Sequence, residues 1–279
     1  MNQRVKELVS LGRETLFKVS DTPGLDSEIL LAEALGILRF DLLVAKNNIV
    51  DAETVAKFYR FIEKRKEGVP VAYIINKKDF FEDTFFVDER VLVPRPESEF
   101  VVTEAICHLK NYRKSPDVLD LCCGSGCVGL SILRVMNCNL TLSDISADAL
   151  DVARKNASDL YQDKEKIRFI ESDLFNRIKG RFDVITVNPP YLSRNDMCKY
   201  VYGPLKHEPE IALFGGESGV EITEKIIKQA PDFLNPEGVL IVELGYEGAD
   251  KITSNSLVLQ KIVNDYNGFK RVAVFNLRK

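Results

Sequence analysis

The chain has 279 residues, is 45% hydrophobic and 29% charged, and carries a formal net charge of −4. That composition is that of an ordinary soluble globular protein of one large or two modest domains, and the acidic balance gives no global field for binding nucleic acid. No stretch reaches the roughly 20 apolar residues of a membrane span, and the charged opening MNQRVKELVSLGRETLFKVS lacks a signal-peptide core, so a cytoplasmic location without a membrane partner is expected.

Residues 1–70 carry helical periodicity and are expected to form a small helical domain. SEILLAEALGIL reads as a buried helix ended near Gly36. AETVAKFYRFIEKRK places Val55, Phe58, Tyr59 and Ile62 on one stripe, with Asp51 as N-cap. Residues 71–96 lie in VPVAYIINKKDFFEDTFFVDERVLVPRPE, which alternates apolar and polar residues as hairpin strands do, and they are expected to form a β-hairpin linker. Pro94 and Pro96 break regular structure before a helix near Glu97–Leu109.

Residues 97–279 are expected to form the third region, an α/β domain. Its strands are DVLDL, LTLSD, IRFIE, FDVITV, GVLIVEL and RVAVFNL, with helices near 127–136, 147–158, 218–232 and 253–265. Strands alternating with helices imply a doubly wound, mostly parallel sheet, whose ligands sit at the carboxyl ends of the strands. The six cysteines (Cys107, Cys122, Cys123, Cys127, Cys138, Cys198) form no C-x-x-C pair, and His108 and His207 are the only histidines. The cysteines therefore read as small buried residues of a reducing compartment, and no metal site is predicted.

Each notable motif falls at a strand's carboxyl end. In VLDLCCGSGCVGLSI, Gly124, Gly126 and Gly129 follow a strand and open a helix, permitting a tight turn and close ligand approach. Asp144 in LSDIS ends the next strand, where an acid can hold both hydroxyls of a ribose. An ordinary strand–helix turn and a helix cap are the structural alternatives. Together the two motifs indicate an adenosine-containing cofactor, either a dinucleotide or S-adenosylmethionine. Asp120 favours the latter, because acids attract its cationic sulfonium and ammonium and would repel a pyrophosphate. Asp173 in ESDLF can accept from an adenine amine while Leu174 packs on the ring; a plain loop carboxylate is the alternative.

VNPPYLS then stops an apolar strand. Pro189 and Pro190 cannot donate to a sheet ladder, and Asn188 before them is pushed into extended geometry. The result is an acceptor-rich corner with the flat ring of Tyr191 beside it. Such a corner can hold a planar group bearing an NH₂, or can be a proline turn with a packed tyrosine.

VLDLCCGSG, LSDIS, ESDLF, VNPPYLS, EPEIALFGG and VPVAYIINKKDFFEDTFFVDERVLVPRPESE together resemble the PrmC/HemK family of protein-(glutamine) methyltransferases over nearly the whole chain. NPPY alone is shared with methyltransferases acting on adenine and guanine amines; the combination with PRPESE and EPEIALFGG is more specific. The resemblance implies a class I S-adenosylmethionine-dependent, Rossmann-like fold and methylation of the glutamine in the GGQ loop of peptide chain release factors, with S-adenosylhomocysteine as product. It assigns Asn188, Pro189, Pro190 and Tyr191 to catalysis. To the cofactor it assigns Asp120, Cys122, Cys123, Gly124, Ser125, Gly126, Asp144, Ile145, Asp173 and Leu174, with Asn188 shared. The partner it implies is a release factor, with no direct nucleic-acid contact, and the helical domain is then expected to recognise that substrate. On this reading the Asn188 oxygen and the Pro189 carbonyl accept the two N–H bonds of the substrate amide, and no histidine or cysteine base is needed. Glu208 and Pro209 are expected to shape a loop over the site, Glu208 having a solvated charge as its alternative.

Two departures stand out. The family usually has glycine where Cys122 stands, and the chain ends at RVAVFNLRK without the final antiparallel strand usual in such domains. Two other functions compete. A nucleic-acid amine methyltransferase would need a basic groove with stacking aromatics, and Arg60, Lys64, Arg65 and Lys66 read instead as a solvated helix face. A non-catalytic binding module is opposed by the intact set of Asp120, Gly124, Gly126, Asp144 and Asn188.

Overall fold

Two units divide the chain: residues 1–77 with 202–207 form one, and residues 78–201 with 208–279 the other. The computed structural model describes residues 3–110, 112, 115–162, 165–200, 203, 205–245 and 254–278.

In the first unit β1 (Gln3–Arg4) pairs antiparallel with β2 (Ile49–Val50) beside five helices: α1 (Val5–Leu16), α2 (Pro23–Leu35), α3 (Asp41–Ala45), α4 (Ala52–Lys66) and α5 (Val71–Ile75). Gly36 ends α2 in the left-handed region, at a φ of 69°. Asp51 caps α4, its Oδ1 accepting from the N–H groups of Glu53 and Thr54 at 3.0 and 2.9 Å. Phe58 and Ile62 of the expected stripe are buried among Leu8, Leu16, Leu30 and Leu31, whereas Tyr59 lies at the surface. The first part of the expected hairpin is a helix instead. Pro70 opens α5, Ala72, Tyr73 and Ile74 are buried, and Asn76 ends it at a φ of 54°. A five-residue apolar run with its middle three residues buried is too short to show a period that separates helix from strand.

The second unit begins with the hairpin of β3 (Lys78–Phe80) and β4 (Asp83–Phe85), whose Phe80 and Phe85 rings meet edge to face at 6.1 Å in the unit's core. A 3₁₀ turn at Pro96–Ser98 leads into α6 (Glu99–Leu109). There follow β5 (Asp117–Leu121), α7 (Cys127–Val135), β6 (Asn139–Asp144), α8 (Ala147–Leu160), β7 (Ile167–Glu171), β8 (Phe182–Val187), β9 (Leu192–Ser193), α9 (Arg194–Tyr200), β10 (Phe214–Gly216), α10 (Glu221–Gln229), β11 (Leu234–Glu243), β12 (Leu257–Asn264) and β13 (Lys270–Leu277). The seven-stranded sheet has the order β12-β13-β11-β8-β5-β6-β7. β11, β8, β5, β6 and β7 run parallel, and β13 and β12 join antiparallel. Both faces are covered. Val118 of β5 faces a cluster with Leu130, Leu140 and Ile241, while the adjacent Leu119 faces a second cluster with Ile185, Ile226 and Leu240. That is why these strands read as unbroken apolar runs rather than alternations.

Two expectations are corrected at the sheet's end. The helix expected over 253–265 is the edge strand β12 where it falls on described residues, and the antiparallel strand thought missing is β13, inserted between β11 and β12. An edge strand with only Leu257 buried has little alternation to show, and a register shift between Leu259 and Lys261 breaks what remains.

Asp120, 2% exposed, ties three elements together: its Oδ2 accepts from the Gly129 N–H of α7, and its Oδ1 accepts from the Thr186 hydroxyl of β8, both at 2.9 Å. Burial pushes its carboxyl from the ordinary 3.8 up to about 7, against the pull of those two donors. The folded state thus holds this proton more tightly than the unfolded chain, so the group's contribution to stability is present at low pH and is lost as pH rises from about 4 through about 7. Asp120→Asn should flatten that part of the profile. Unfolding free energies from urea titrations at about pH 5 and about pH 8 should fall less with pH in the variant than in the wild type; equal falls would contradict the burial-driven shift.

Candidate active site

The glycine turn and the end of β6 are joined through Asp144. Its Oδ2 accepts from the Gly124 N–H at 2.9 Å and its Oδ1 from the Ser146 N–H at 3.0 Å, while the Cys123 N–H donates to the Ser143 carbonyl at 3.0 Å. Burial raises the Asp144 carboxyl above its ordinary value. Gly124 lies at a φ of 53°, with nothing within 4 Å of where a Cβ would stand. Cys122 holds the same φ of 53°, a left-handed geometry that costs an L-residue roughly 1–2 kcal/mol and glycine nothing, which accounts for the glycine usual there in the family it resembles.

Beside this turn opens a cavity of about 430 Å³. Cys122, Ile145, Asp173, Leu174 and Pro190 of the residues expected at the site line it. The Ser172 hydroxyl, donating to the Leu174 carbonyl at 2.8 Å and accepting from the Arg177 N–H at 2.9 Å, pins the turn that holds Leu174 at a φ of 45°. Glu210, Ile211, Phe214 and Ile222 complete the far wall; they were not singled out in the sequence, though three of them lie in or beside EPEIALFGG. The side chains of Asp120, Cys123 and Ser125 are turned into the fold. Asp120 is spent on Gly129 and Thr186, Cys123 sits in the core at 7% exposure, and Ser125 is 2% exposed with its carbonyl taken by Asn156 Nδ2. These three are not among the residues lining the cavity, and neither are Gly124, Gly126, Asp144, Asn188, Pro189 and Tyr191.

S-adenosylmethionine fits these residues. The cavity lining offers apolar walls and the carboxylates of Asp173 and Glu210, with no lysine, arginine or histidine among its residues. That donor set suits a cation and an amine, and it opposes a pyrophosphate. The thiols offer no nucleophile: burial raises Cys122 and Cys123 far above the ordinary value and pushes Cys127 up to about 12.

The Asn-Pro-Pro-Tyr corner stands at the carboxyl end of β8. Asn188 is half-buried and its Nδ2 donates to Ser98 Oγ at 3.1 Å. Among the described residues no donor reaches the Asn188 oxygen. Tyr191 packs its ring on Gly245, where a Cβ would lie 2.9 Å from Cδ2, and burial pushes its hydroxyl up to about 12. The corner is held from behind by the EPEIALFGG stretch: β10 pairs parallel with β9, and the Leu192 N–H donates to the Leu213 carbonyl at 2.8 Å. Glu208 is no solvated charge. It is 8% exposed, and it accepts from the Val93 N–H at 3.0 Å and from the Arg95 guanidinium at 2.5 Å.

The order of the sheet, the glycine turn and the cavity at the strands' carboxyl ends define a class I S-adenosylmethionine-dependent methyltransferase. A methyltransferase from Pyrococcus furiosus shares this fold, with a TM-score of 0.51 and 21% identity over 77% of this chain and 98% of its own. Residues 103–205 match the methyltransferase small domain, and residues 7–75 match the PrmC N-terminal domain. A release factor glutamine methyltransferase of Leptospira interrogans is 37% identical over 94% of both chains, and one of Chlorobaculum tepidum is 34% identical over 96% of this chain and 97% of its own. The chain belongs to the release factor glutamine methyltransferase family.

A Cβ at Gly215 would stand 2.6 Å from the Pro190 carbonyl oxygen and 2.7 Å from the Tyr191 Cα. Both are backbone atoms, so they cannot swing aside. Gly215→Ala should therefore cost about 1–3 kcal/mol in a urea titration and slow methyl transfer by displacing the corner; wild-type stability would contradict this close approach.

Proposed function

We propose that this chain transfers a methyl group from S-adenosylmethionine to the side-chain amide nitrogen of the glutamine in the GGQ loop of peptide chain release factors, in the cytoplasm. One observation carries the chemistry. Asn188 is tethered through its NH₂ to Ser98, which leaves its oxygen as an acceptor at the tip of β8, while Pro190, two residues on, lines the cavity.

S-adenosylmethionine, when bound, supplies a methyl group on a positively charged sulfur. Asp144 at the end of β6 would hold the ribose hydroxyls, each of its oxygens keeping a lone pair beyond the backbone bond already made. Asp173 would accept from the adenine amine, Ile145 and Leu174 would flank the ring, and the open backbone at Gly124 would admit the amino-acid end. An amide nitrogen is a poor nucleophile because its lone pair is delocalised into its carbonyl. The Asn188 oxygen and the Pro189 carbonyl would accept its two N–H bonds, fix it in place, and favour the positive charge that grows on it. Tyr191, neutral across the working range, would pack on the amide plane.

The helical unit is the natural reader of the protein substrate, since one glutamine side chain is far too small a surface to specify a partner. In and beside α3 this unit exposes Leu38 at 73%, Phe40 at 72%, Leu43 at 73% and Val44 at 89%, an apolar cluster of the kind that marks a protein-binding surface. No helix among the described residues is long and apolar enough to cross a membrane.

Asn188→Ala should lower turnover of release factor by about 10²–10³-fold, with S-adenosylmethionine affinity kept within a few-fold by calorimetry; turnover near wild type would make the corner a structural turn. Asp144→Ala should weaken cofactor binding by about 1.5–3 kcal/mol, and an unchanged dissociation constant would remove it from the site. Replacing Phe40 and Leu43 together by serine should raise KM for intact release factor while leaving cofactor affinity unchanged. An unaltered KM would place recognition elsewhere.

A further inference from the structure

Asn188 is the visible end of a buried chain of hydrogen bonds. Its Nδ2 donates to Ser98 Oγ at 3.1 Å, and the Ser98 hydroxyl donates to Glu243 Oε2 at 2.6 Å. Ser98 is 2% exposed and Glu243 is 1% exposed. Ser98 closes the 3₁₀ turn before α6, and Glu243 is the last residue of β11, the neighbour of β8 through the Val242–Val187 pair. Neither residue lines the cavity.

The order of donors in this chain is set from its far end. An ionised carboxylate can only accept, so the one Ser98 proton points to Glu243. The Ser98 oxygen then has only lone pairs to offer Asn188, and the Asn188 NH₂ must fill them. Without Glu243, a serine beside an asparagine has two comparable arrangements: it accepts from the NH₂, or it donates to the oxygen. Only the first leaves the Asn188 oxygen free to accept from another group.

We propose that Ser98 and Glu243 are positioning residues which hold the Asn188 amide in one orientation, with its oxygen presented to the substrate amide. The proposal rests on the reading of Asn188 given above. Several groups act on Glu243. Arg271 and Arg95 favour its charge and Glu97 opposes it, while Tyr191 and Cys127 lie close enough to feel it. Arg271 is anchored on Asp265 at 3.0 Å and Arg95 is paired with Glu208, while Tyr191 and Cys127 are pushed up to about 12 and stay neutral. Burial pushes the Glu243 carboxyl up to about 7 against the Ser98 bond and Arg271. Below that pH the protonated carboxyl can donate to Ser98, the Ser98 proton can turn to the Asn188 oxygen, and the acceptor is lost. Activity should fall as pH falls through about 7.

The test measures kcat and KM on release factor between about pH 6 and about pH 9, for wild type, Ser98→Ala, Ser98→Thr, Glu243→Gln and Asp120→Asn. Ser98→Ala and Glu243→Gln should lower kcat by about 10–100-fold, with KM and the calorimetric affinity for S-adenosylmethionine within a few-fold. Ser98→Thr, which keeps the hydroxyl, should stay near wild type. The acid limb near pH 7 should vanish in Glu243→Gln and persist in Asp120→Asn, which removes the other buried carboxyl pushed up to about 7. In the free protein, exchange of the Asn188 side-chain NH₂ hydrogens, followed by NMR, should speed up in Ser98→Ala. Should Ser98→Ala destabilise the fold, Glu243→Gln, which keeps the buried shape, decides by the same criteria. Wild-type kcat with an intact acid limb in Glu243→Gln, alongside an inactive Asn188→Ala, would overturn this proposal alone. An active Asn188→Ala would overturn the reading beneath it.

Discussion

Two adjacent prolines fix where the central strand must stop. β8 lies between β5 and β11, bonded on both sides, and it can run only while each residue supplies the donors its neighbours need. Pro189 and Pro190 have no N–H, so the ladder ends at Val187 and the chain leaves the sheet at its carboxyl edge. Everything else at the site follows from that exit. Asn188 is left at the edge with a polar side chain to satisfy, Pro190 turns into the cavity wall, and Tyr191 is laid on Gly245, two residues past the end of β11. The backbone that leaves the sheet is then caught by β10, packed so closely at Gly215 that no side chain fits.

The same edge concentrates cost that the sheet must offset. Cys122 and Leu174 both hold left-handed backbone, and both line the cavity. Two carboxylates pushed up to about 7, Asp120 and Glu243, lie buried just behind it. A fold selected for stability alone would have little use for either. A site that must attract a cation, exclude phosphate and offer fixed acceptors to a weak nucleophile has use for both: the strain shapes the wall, and the buried acids orient the polar groups in front of them. Asp120 is the clearer structural case, since its oxygens bind α7 and β8 to the end of β5 and it is buried at 2% exposure.

Local patterns in the sequence carried much of this. The Asp51 cap, the Gly36 stop, the glycine turn and the proline stop are each written within a few residues, and each has a conformational cause that needs no partner. β12 and α5 escaped for opposite reasons. β12 is an edge strand with a register shift and almost no buried face, so its apolar residues mimic a helical stripe. α5 is five apolar residues with the middle three in succession buried, so no period shows. Asp120 was readable as an acid at a strand end, but the direction its side chain takes depends on Thr186, a residue 66 positions away. Ser98 and Glu243 lie 145 positions apart and meet Asn188 only through the tertiary fold, and the wall formed by Glu210, Ile211, Phe214 and Ile222 comes from a segment returning to the sheet. No local rule marks such residues.

The central claim is that the corner at the end of β8 methylates a side-chain amide of one glutamine in a protein. The most direct measurement incubates the enzyme with labelled S-adenosylmethionine and, side by side, a release factor, the same factor with its GGQ glutamine replaced by alanine, RNA and DNA, and then locates the methyl group by mass spectrometry. Label is expected in the unaltered release factor alone, on the side-chain nitrogen of that glutamine. Equal labelling of the altered factor, or transfer to a nucleic-acid base, would contradict it.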